Sequence, residues 1–401
     1  MKTRMKAAAM ALFAATAAHA ENSPWYVGVS QGFTHSSNVR LVPDGQTPGA
    51  ESATISATTL LGGLDQPFGR QRLTAAASLR QLAYSGHSDL NNLGYNLNAG
   101  LDWSTVERLS GRISVAADRQ LNLSTELPCG VGAAGQKNLQ SNTNLDALVR
   151  MGVVTALTLE ASLGWREQNH SLGAYDCQDM RGNTLSLGAR YRFSGALSAG
   201  AALRHATYDY PRAVGGANTT TSNYLDLTAN WVASGASSLD ARLSLGRHTD
   251  LVRERDFSGA TGALNWQWQP TGKIRVNTAL QRDIGADSVN RVQAISINQF
   301  AVVRADSSQL TTSLNSRVSY ELTSKIALNA SLGLAKRDLA DVGAAPGVDA
   351  TNSFSLGATW APTRSALIGC DFSREQRHSS YAPSLPYGVN TFGCYGQLVL
   401  Q

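Results

Sequence analysis

The chain has 401 residues, 42% hydrophobic and 16% charged, with 34 basic and 29 acidic side chains. No apolar run approaches the ~18 residues that a membrane helix needs, which excludes a helical membrane protein. Lys2, Arg4 and Lys6 supply three of the 34 basic residues, so 31 face 29 acids in the rest of the chain, too even a balance for a nucleic-acid partner.

Residues 1–20 read as an export signal. Lys2, Arg4 and Lys6 form its basic start, Ala7 to Ala18 a short apolar stretch, and Ala18-His19-Ala20 a small-x-small cleavage site with Ala20 as the last residue removed. Residues 21–401 then form one domain. No Cys follows the cleavage site, so no lipid anchor is expected. Only Glu21 to Pro24 precede the first strand, which leaves no room there for a plug domain.

From there the hydrophobic period is two. Leu93, Tyr95, Leu97, Ala99, Leu101 and Trp103 alternate with Asn92, Gly94, Asn96, Asn98, Gly100 and Asp102. Leu157, Leu159, Ala161, Leu163 and Trp165 repeat the pattern, as do Leu185, Leu187, Ala189, Tyr191 and Phe193, and Ile326, Leu328, Ala330, Leu332 and Leu334. A helical period of 3.6 would scatter these side chains around the axis, whereas a strand collects them on one face. In chain order the pattern predicts strands over 25–33, 52–62, 72–84, 92–103, 109–121, 139–153, 155–168, 182–193, 196–208, 221–234, 236–249, 257–268, 271–283, 305–320, 324–337, 351–360, 363–376 and 390–401.

Short connections (Ser194-Gly195, Gly235, Gln269-Pro270, Leu322-Thr323 and Ala361-Pro362) alternate with long ones over 34–51, 122–138, 169–181, 209–220, 284–304, 338–350 and 377–389. Short turns at one end and long loops at the other are the pattern of an outer-membrane barrel. The expected fold is a single all-β, antiparallel transmembrane barrel of about 18 strands, with 16 as the alternative. It has short periplasmic turns and long extracellular loops. Its expected place is the outer membrane of a Gram-negative cell, among outer-membrane lipid, after insertion by the barrel assembly machinery. Trp25, Trp103, Tyr191, Phe193, Trp231, Trp266, Trp268, Tyr320 and Trp360 all fall near the periplasmic strand ends, as an interfacial aromatic belt requires.

If the apolar set faces lipid, the opposite parity faces the lumen. That places Arg72, Arg80, Arg112, Arg150, Arg166, Arg190, Arg192, Arg204, Arg242, Lys273, Arg275, Arg317, Lys325 and Arg337 inside. Asp102, Asp118, Asp146, Glu160, Asp226, Asp240, Asp283, Glu321, Asp371 and Glu375 join them. Cations outnumber carboxylates. One reading is a mildly cationic passage for anionic or polyhydroxylated solutes. The other is a cross-strand Arg–carboxylate network that stiffens the wall.

No catalytic or metal centre is expected, and no cofactor. His35, His87, His170, His205, His248 and His378 fall in long loops or at extracellular strand ends without metal-ligand spacing. A Ser–His–acid cluster gathered from separate strands is the arrangement that an outer-membrane hydrolase would need. The four cysteines allow three pairings. Cys129 and Cys177 lie in successive long loops. Cys370 and Cys394 share outward parity on the last two strands, so a bridge across the final hairpin is one candidate. In loop 284–304, Ile295, Ile297 and Phe300 make it the candidate to fold inward.

The close of the chain, Ile368-Gly369-Cys370-Asp371-Phe372-Ser373-Arg374-Glu375-Gln376-Arg377 followed by Thr391-Phe392-Gly393-Cys394-Tyr395-Gly396-Gln397-Leu398-Val399-Leu400-Gln401, resembles that of the EpsL-like exopolysaccharide-operon outer-membrane proteins, within the β-barrel porin 2 class. Tyr95 to Ser104 is similar to a strand of the same family. The resemblance implies a passage or accessory in exopolysaccharide biosynthesis and export, with polysaccharide and its export components as partners and no catalytic residues. The alternative is a general diffusion porin for small, mildly anionic solutes, and behind it an outer-membrane enzyme acting on lipid or glycan. The chain departs from general porins in ending on Leu400-Gln401 rather than on an aromatic.

Overall fold

The computed structural model describes residues 23–43, 49–106, 108–123, 136–152, 155–213, 216–250, 256–284, 293–296, 299–301, 308–341, 344–381 and 384–401. The export signal, Cys129 and Ile297 lie outside the described residues.

The strands are β1 (Trp25–Ser36), β2 (Ala53–Phe68), β3 (Gln71–Tyr84), β4 (Asn92–Ser104), β5 (Leu109–Leu121), β6 (Leu139–Met151) and β7 (Leu157–His170). They continue with β8 (Met180–Arg192), β9 (Leu197–Tyr210), β10 (Asn218–Ser234), β11 (Ser237–Asp250), β12 (Phe257–Thr271), β13 (Ile274–Asp283), β14 (Gln293–Ser296) and β15 (Gln299–Ala301). The last five are β16 (Ser308–Glu321), β17 (Ile326–Asp341), β18 (Ala344–Trp360), β19 (Ala366–Ser379) and β20 (Tyr387–Leu400).

β14 and β15 form a separate hairpin inside the long connection after β13. The other strands make one 18-stranded sheet, each antiparallel to its chain neighbour. β1 pairs with β20, from Val27 against Leu400 to Ser36 against Thr391, and this closes the barrel. Closure removes every exposed sheet edge, which a spanning sheet must do because lipid offers no hydrogen bonds to a bare backbone.

The alternation explains which face goes where. Leu203, Leu163, Leu398 and Phe33 are 70, 62, 60 and 58% exposed, and most strand leucines of the same parity follow them outward. No water-soluble fold leaves a continuous apolar wall of this kind uncovered, whereas hydrocarbon covers it without cost. The fold is therefore a transmembrane barrel. The buried apolar residues instead collect at the long-loop rim, in two small clusters. Val39, Ala53, Leu90 and Leu123 form one, and Met180, Ala206, Tyr208, Tyr210 and Ala213 the other.

Three connections differ from the sequence reading. The stretch 338–350 is mostly strand, because β17 and β18 stay paired as far as Asp341 against Ala344. β12 passes through Gln269-Pro270 and ends at Thr271, the pairing shifting between Trp268 and Thr271 to accommodate the proline. β9 and β10 likewise extend into 209–220 as far as Tyr210 and Asn218. Between β2 and β3 the chain reverses at Gly69, whose φ of +62° is the left-handed conformation that a two-residue hairpin turn requires.

Candidate functional site: the barrel lumen

Inward positions carry most of the polar chemistry. Arg72, Arg80, Asp102, Arg112, Asp118, Arg150, Glu160, Arg166, Arg190, Arg192, Arg204, Asp226, Asp240, Arg242, Arg275 and Arg317 all have the parity opposite to the exposed leucines of their strands. Lys273 and Lys325 do not reach the passage. They sit in the short turns, where their ammonium groups donate to the carbonyls of Leu322 (3.4 Å) and Pro362 (3.0 Å).

Cross-strand neighbours pair most of these charges. Glu160 accepts from Arg150 at 3.2 Å on one side and from Arg190 at 3.1 Å on the other. Arg204 grips Asp226 through two nitrogens, at 2.8 and 3.4 Å, while its guanidinium lies 4.7 Å from the centre of the Tyr224 ring. Arg242 reaches Asp283 at 3.2 Å, Arg275 reaches Glu321 at 2.9 Å, and Arg112 stands 3.5 Å from Asp102. Arg72 holds Asp65 at 2.7 and 2.5 Å. Arg166 donates to Asn144 at 3.0 Å, and Asn142 donates to Asp118 at 3.0 Å. Side chains this close on adjacent strands lock one another in place.

The paired charges lie against the wall and leave room between them. A chamber of about 880 Å³ is lined by Asn96, Asn98, Asn144, Ser162, Thr184, Ser186, Thr228, Asn265 and Gln281, with four arginines (Arg166, Arg190, Arg204, Arg242) and four aspartates (Asp118, Asp146, Asp226, Asp240). A second chamber of about 470 Å³ shares Asn96 and Asp118 with it and runs toward the long loops past Arg80, Glu375 and Arg377. At that rim Asp349 is wholly buried between Arg337 and Arg377, and it accepts a further bond from Ser384 at 3.0 Å.

Four tyrosines were not legible as lumen residues. Tyr26, Tyr208, Tyr224 and Tyr395 point inward, each opposite a glycine on the adjoining strand: Gly63, Gly182, Gly246 and Gly369. A Cβ on Gly182 would come within 2.1 Å of the Tyr208 ring, and one on Gly63 within 2.3 Å of Tyr26. Each ring fills the space that its glycine vacates. The signal was present as parity, since Tyr208 shares the parity of Arg204 and Tyr395 is opposed to that of Cys394.

The aromatic set predicted for the interface lies at the short-turn end. Phe193, Trp25, Trp231, Tyr191, Trp360, Trp268 and Trp266 are exposed there, and Trp103 and Tyr320 are half-buried. Tyr191 meets Phe193 edge to face at 4.9 Å, and Trp266 stacks on Trp268 at 5.3 Å. Phe68, 58% exposed at the same end, belongs with them.

Cys370 and Cys394 are register partners and form a disulfide on the outward face of the last hairpin. Cys177 is also disulfide-bonded. The histidines scatter. His35, His205 and His378 face outward, and His87 sits in the loop after β3 beside Glu51. His170 is buried against Asp179 at 2.9 Å, and the Nδ1 of His248 meets the Oγ of Ser222 at 2.9 Å. Among the described residues no three His, Cys, Asp or Glu side chains cluster as metal ligands would. Outside the strands, the Arg40 guanidinium holds the Asp89 carboxyl below the usual aspartate range. The backbone N–H of Asp250, with Arg247, does the same for Asp256.

No family model and no curated protein matches the chain. Among solved structures it is similar to OccK2 (OpdF) of Pseudomonas aeruginosa, in complex with glucuronate, at 13% identity and a TM-score of 0.49, covering 94% of this chain and 98% of that one. It is also similar to the outer-membrane protein OpdK of P. aeruginosa, at 13% identity and a TM-score of 0.47, covering 94% and 99%. The FrpB iron transporter of Neisseria meningitidis stands at 9% identity and a TM-score of 0.48, covering 95% and 83%.

Proposed function

We propose that the chain is an outer-membrane diffusion channel for small hydrophilic solutes. The observation that carries this reading is the chamber of about 880 Å³ inside an apolar-walled barrel, lined by amides, hydroxyls and paired charges. Such a lining exchanges hydrogen bonds with water and small polar solutes without binding them tightly, which is what passage requires. Because carboxylates stand against Arg204, Arg242 and Arg275, and Glu160 is shared by Arg150 and Arg190, the preference for anions is weak.

A role in exopolysaccharide export rests on the resemblance of the final hairpin and of Tyr95 to Ser104, to which the lumen adds nothing, so the diffusion reading is preferred. The enzyme reading is weaker still. Ser222 and His248 meet at hydrogen-bond distance, but they are 0 and 3% exposed, out of reach of a lipid or glycan.

Liposome swelling tests the proposal. Vesicles containing the refolded barrel swell quickly in a pentose, slowly in a tetrasaccharide, and not at all without protein. Correctly inserted barrels that admit neither sugar overturn the reading.

A further inference from the structure

The outward face changes character towards the long-loop end. Polar side chains replace leucines there, and around much of the barrel they satisfy one another. Thr58 donates to Gln31 at 2.6 Å, His205 meets Asn223 at 2.8 Å, Arg181 pairs with Glu167 at 2.8 Å and Arg247 with Asp256 at 2.9 Å.

The sector from β13 to β19 is different. Arg282, Lys336, Arg374 and His378 all point outward and are exposed. Arg282 and Arg374 have no carboxylate partner among the described residues. Lys336, 62% exposed, has only Asp338 at 3.7 Å. The pairing aligns these groups. Arg282 lies opposite Thr312, which lies opposite Lys336, and Lys336 lies opposite Ala350, which lies opposite His378. Strands about 4.8 Å apart then set successive cations about 10 Å apart along the wall.

Their level is informative. At about 3.3 Å of rise per residue and about 40° of tilt, Arg282 stands about 20 Å above Ile274, the partner of Tyr320, Lys336 and His378 about 25 Å above Ile326 and Ile368, the partners of Trp360, and Arg374 about 15 Å above Ile368. The interfacial aromatics of the same sector, Tyr320 and Trp360, stay close to the short turns. An apolar band about 20–25 Å tall therefore separates the aromatic level from Arg282, Lys336 and His378, and the long side chain of Arg374, rooted lower on the wall, can extend toward the same level. Arg282 and Lys336 stand over exposed Leu280 and Leu332 of their own strands, and Arg374 lies beside exposed Phe354, its register partner.

A surface with apolar side chains below and cations above that outnumber the one carboxylate beside them, Asp338, fits an amphiphile with acyl chains and anionic oxygens. Arginine matches phosphate through paired N–H donors, and anionic headgroups attract basic groups held at the interface. We propose that the β13–β19 sector holds a phosphate-bearing lipid headgroup of the leaflet on the long-loop side. The proposal rests on the membrane placement of the barrel and is independent of what passes through the lumen.

The test uses native mass spectrometry of the refolded barrel in zwitterionic detergent, with bisphosphorylated lipid A and the same lipid stripped of phosphate. The wild type is expected to retain lipid A and lose the dephosphorylated lipid. Arg282→Gln/Lys336→Gln/Arg374→Gln lowers lipid A retention at least tenfold, and Arg181→Gln/Arg247→Gln leaves it within twofold. Wild-type binding of both lipids alike, or full retention by the triple variant, overturns the proposal. So does displacement of lipid A by millimolar inorganic phosphate, which would mark a site for the free anion. If the triple variant does not refold, the two lipids on the wild type decide alone.

Discussion

Tyr395 covers Gly369, its direct partner across the β19–β20 hairpin, so closely that a Cβ on Gly369 would stand 2.5 Å from the tyrosine ring. Three other tyrosine–glycine pairs repeat the device inside the barrel. A ring over a bare strand backbone replaces the side-chain packing that glycine cannot supply. Gly369→Ala and Gly182→Ala are expected to destabilise the refolded barrel by about 1–3 kcal/mol through overpacking. Gly396→Ala, where nothing lies within 4 Å, changes stability by less than about 0.5 kcal/mol. Urea midpoints in detergent micelles check the contrast.

The Cys370–Cys394 bridge spans 24 residues of sequence at the hairpin next to the closing seam. Removing that cross-link frees the unfolded chain, a loss of about 3 kcal/mol for a loop of this length. Cys370→Ala/Cys394→Ala is expected to lower the urea midpoint accordingly, and reductant to lower the wild-type midpoint by more than that of the double variant, which keeps the Cys177 bridge.

Arg204 and Asp226 are 13 and 9% exposed, so each depends on the other for its charge. Arg204→Ala strands a carboxylate and is expected to cost about 3–5 kcal/mol. Arg204→Leu/Asp226→Leu recovers much of that loss. An equal cost for single and double variants would show that the pair contributes packing rather than charge compensation.

The long-loop rim should loosen in acid. The carboxyls of Asp89 and Asp256 are held below the ordinary aspartate value of 3.8. Their contribution is complete above that value and is lost as pH falls through the lower folded one. Protection near residues 85–91 and at Asp256, taken relative to the intrinsic amide exchange rate at each pH, should fall at pH 3 compared with pH 7, while the strands stay protected. Asp89→Asn should remove the pH dependence of the first segment alone.

The strands were legible because lipid enforces the alternation. Leu157, Leu159, Ala161 and Leu163 must face outward wherever the wall meets hydrocarbon, so their sequence carries the period. Above the membrane that demand lapses. Residues 344–350 lack the pattern, yet β18 begins at Ala344, held first by backbone pairing with β17 and from Asp349 by β19 as well. The lumen was legible by parity but not by energy. The sequence places Glu160 among inward charges, whereas its clasp by both Arg150 and Arg190 depends on register, which no local pattern encodes. The tyrosine–glycine pairs and the row of outward cations on β13–β19 depend on register in the same way, since only strand pairing sets Tyr208 beside Gly182 or Lys336 in line with Arg282.

The central claim is an open, polar, weakly selective lumen. Single-channel recording of the refolded barrel in a planar bilayer, with reversal potentials in a salt gradient, tests it most directly. A steady conductance with a shallow preference for anions is expected. A barrel that inserts fully, resists heat unfolding on gels and yet passes no current would contradict it.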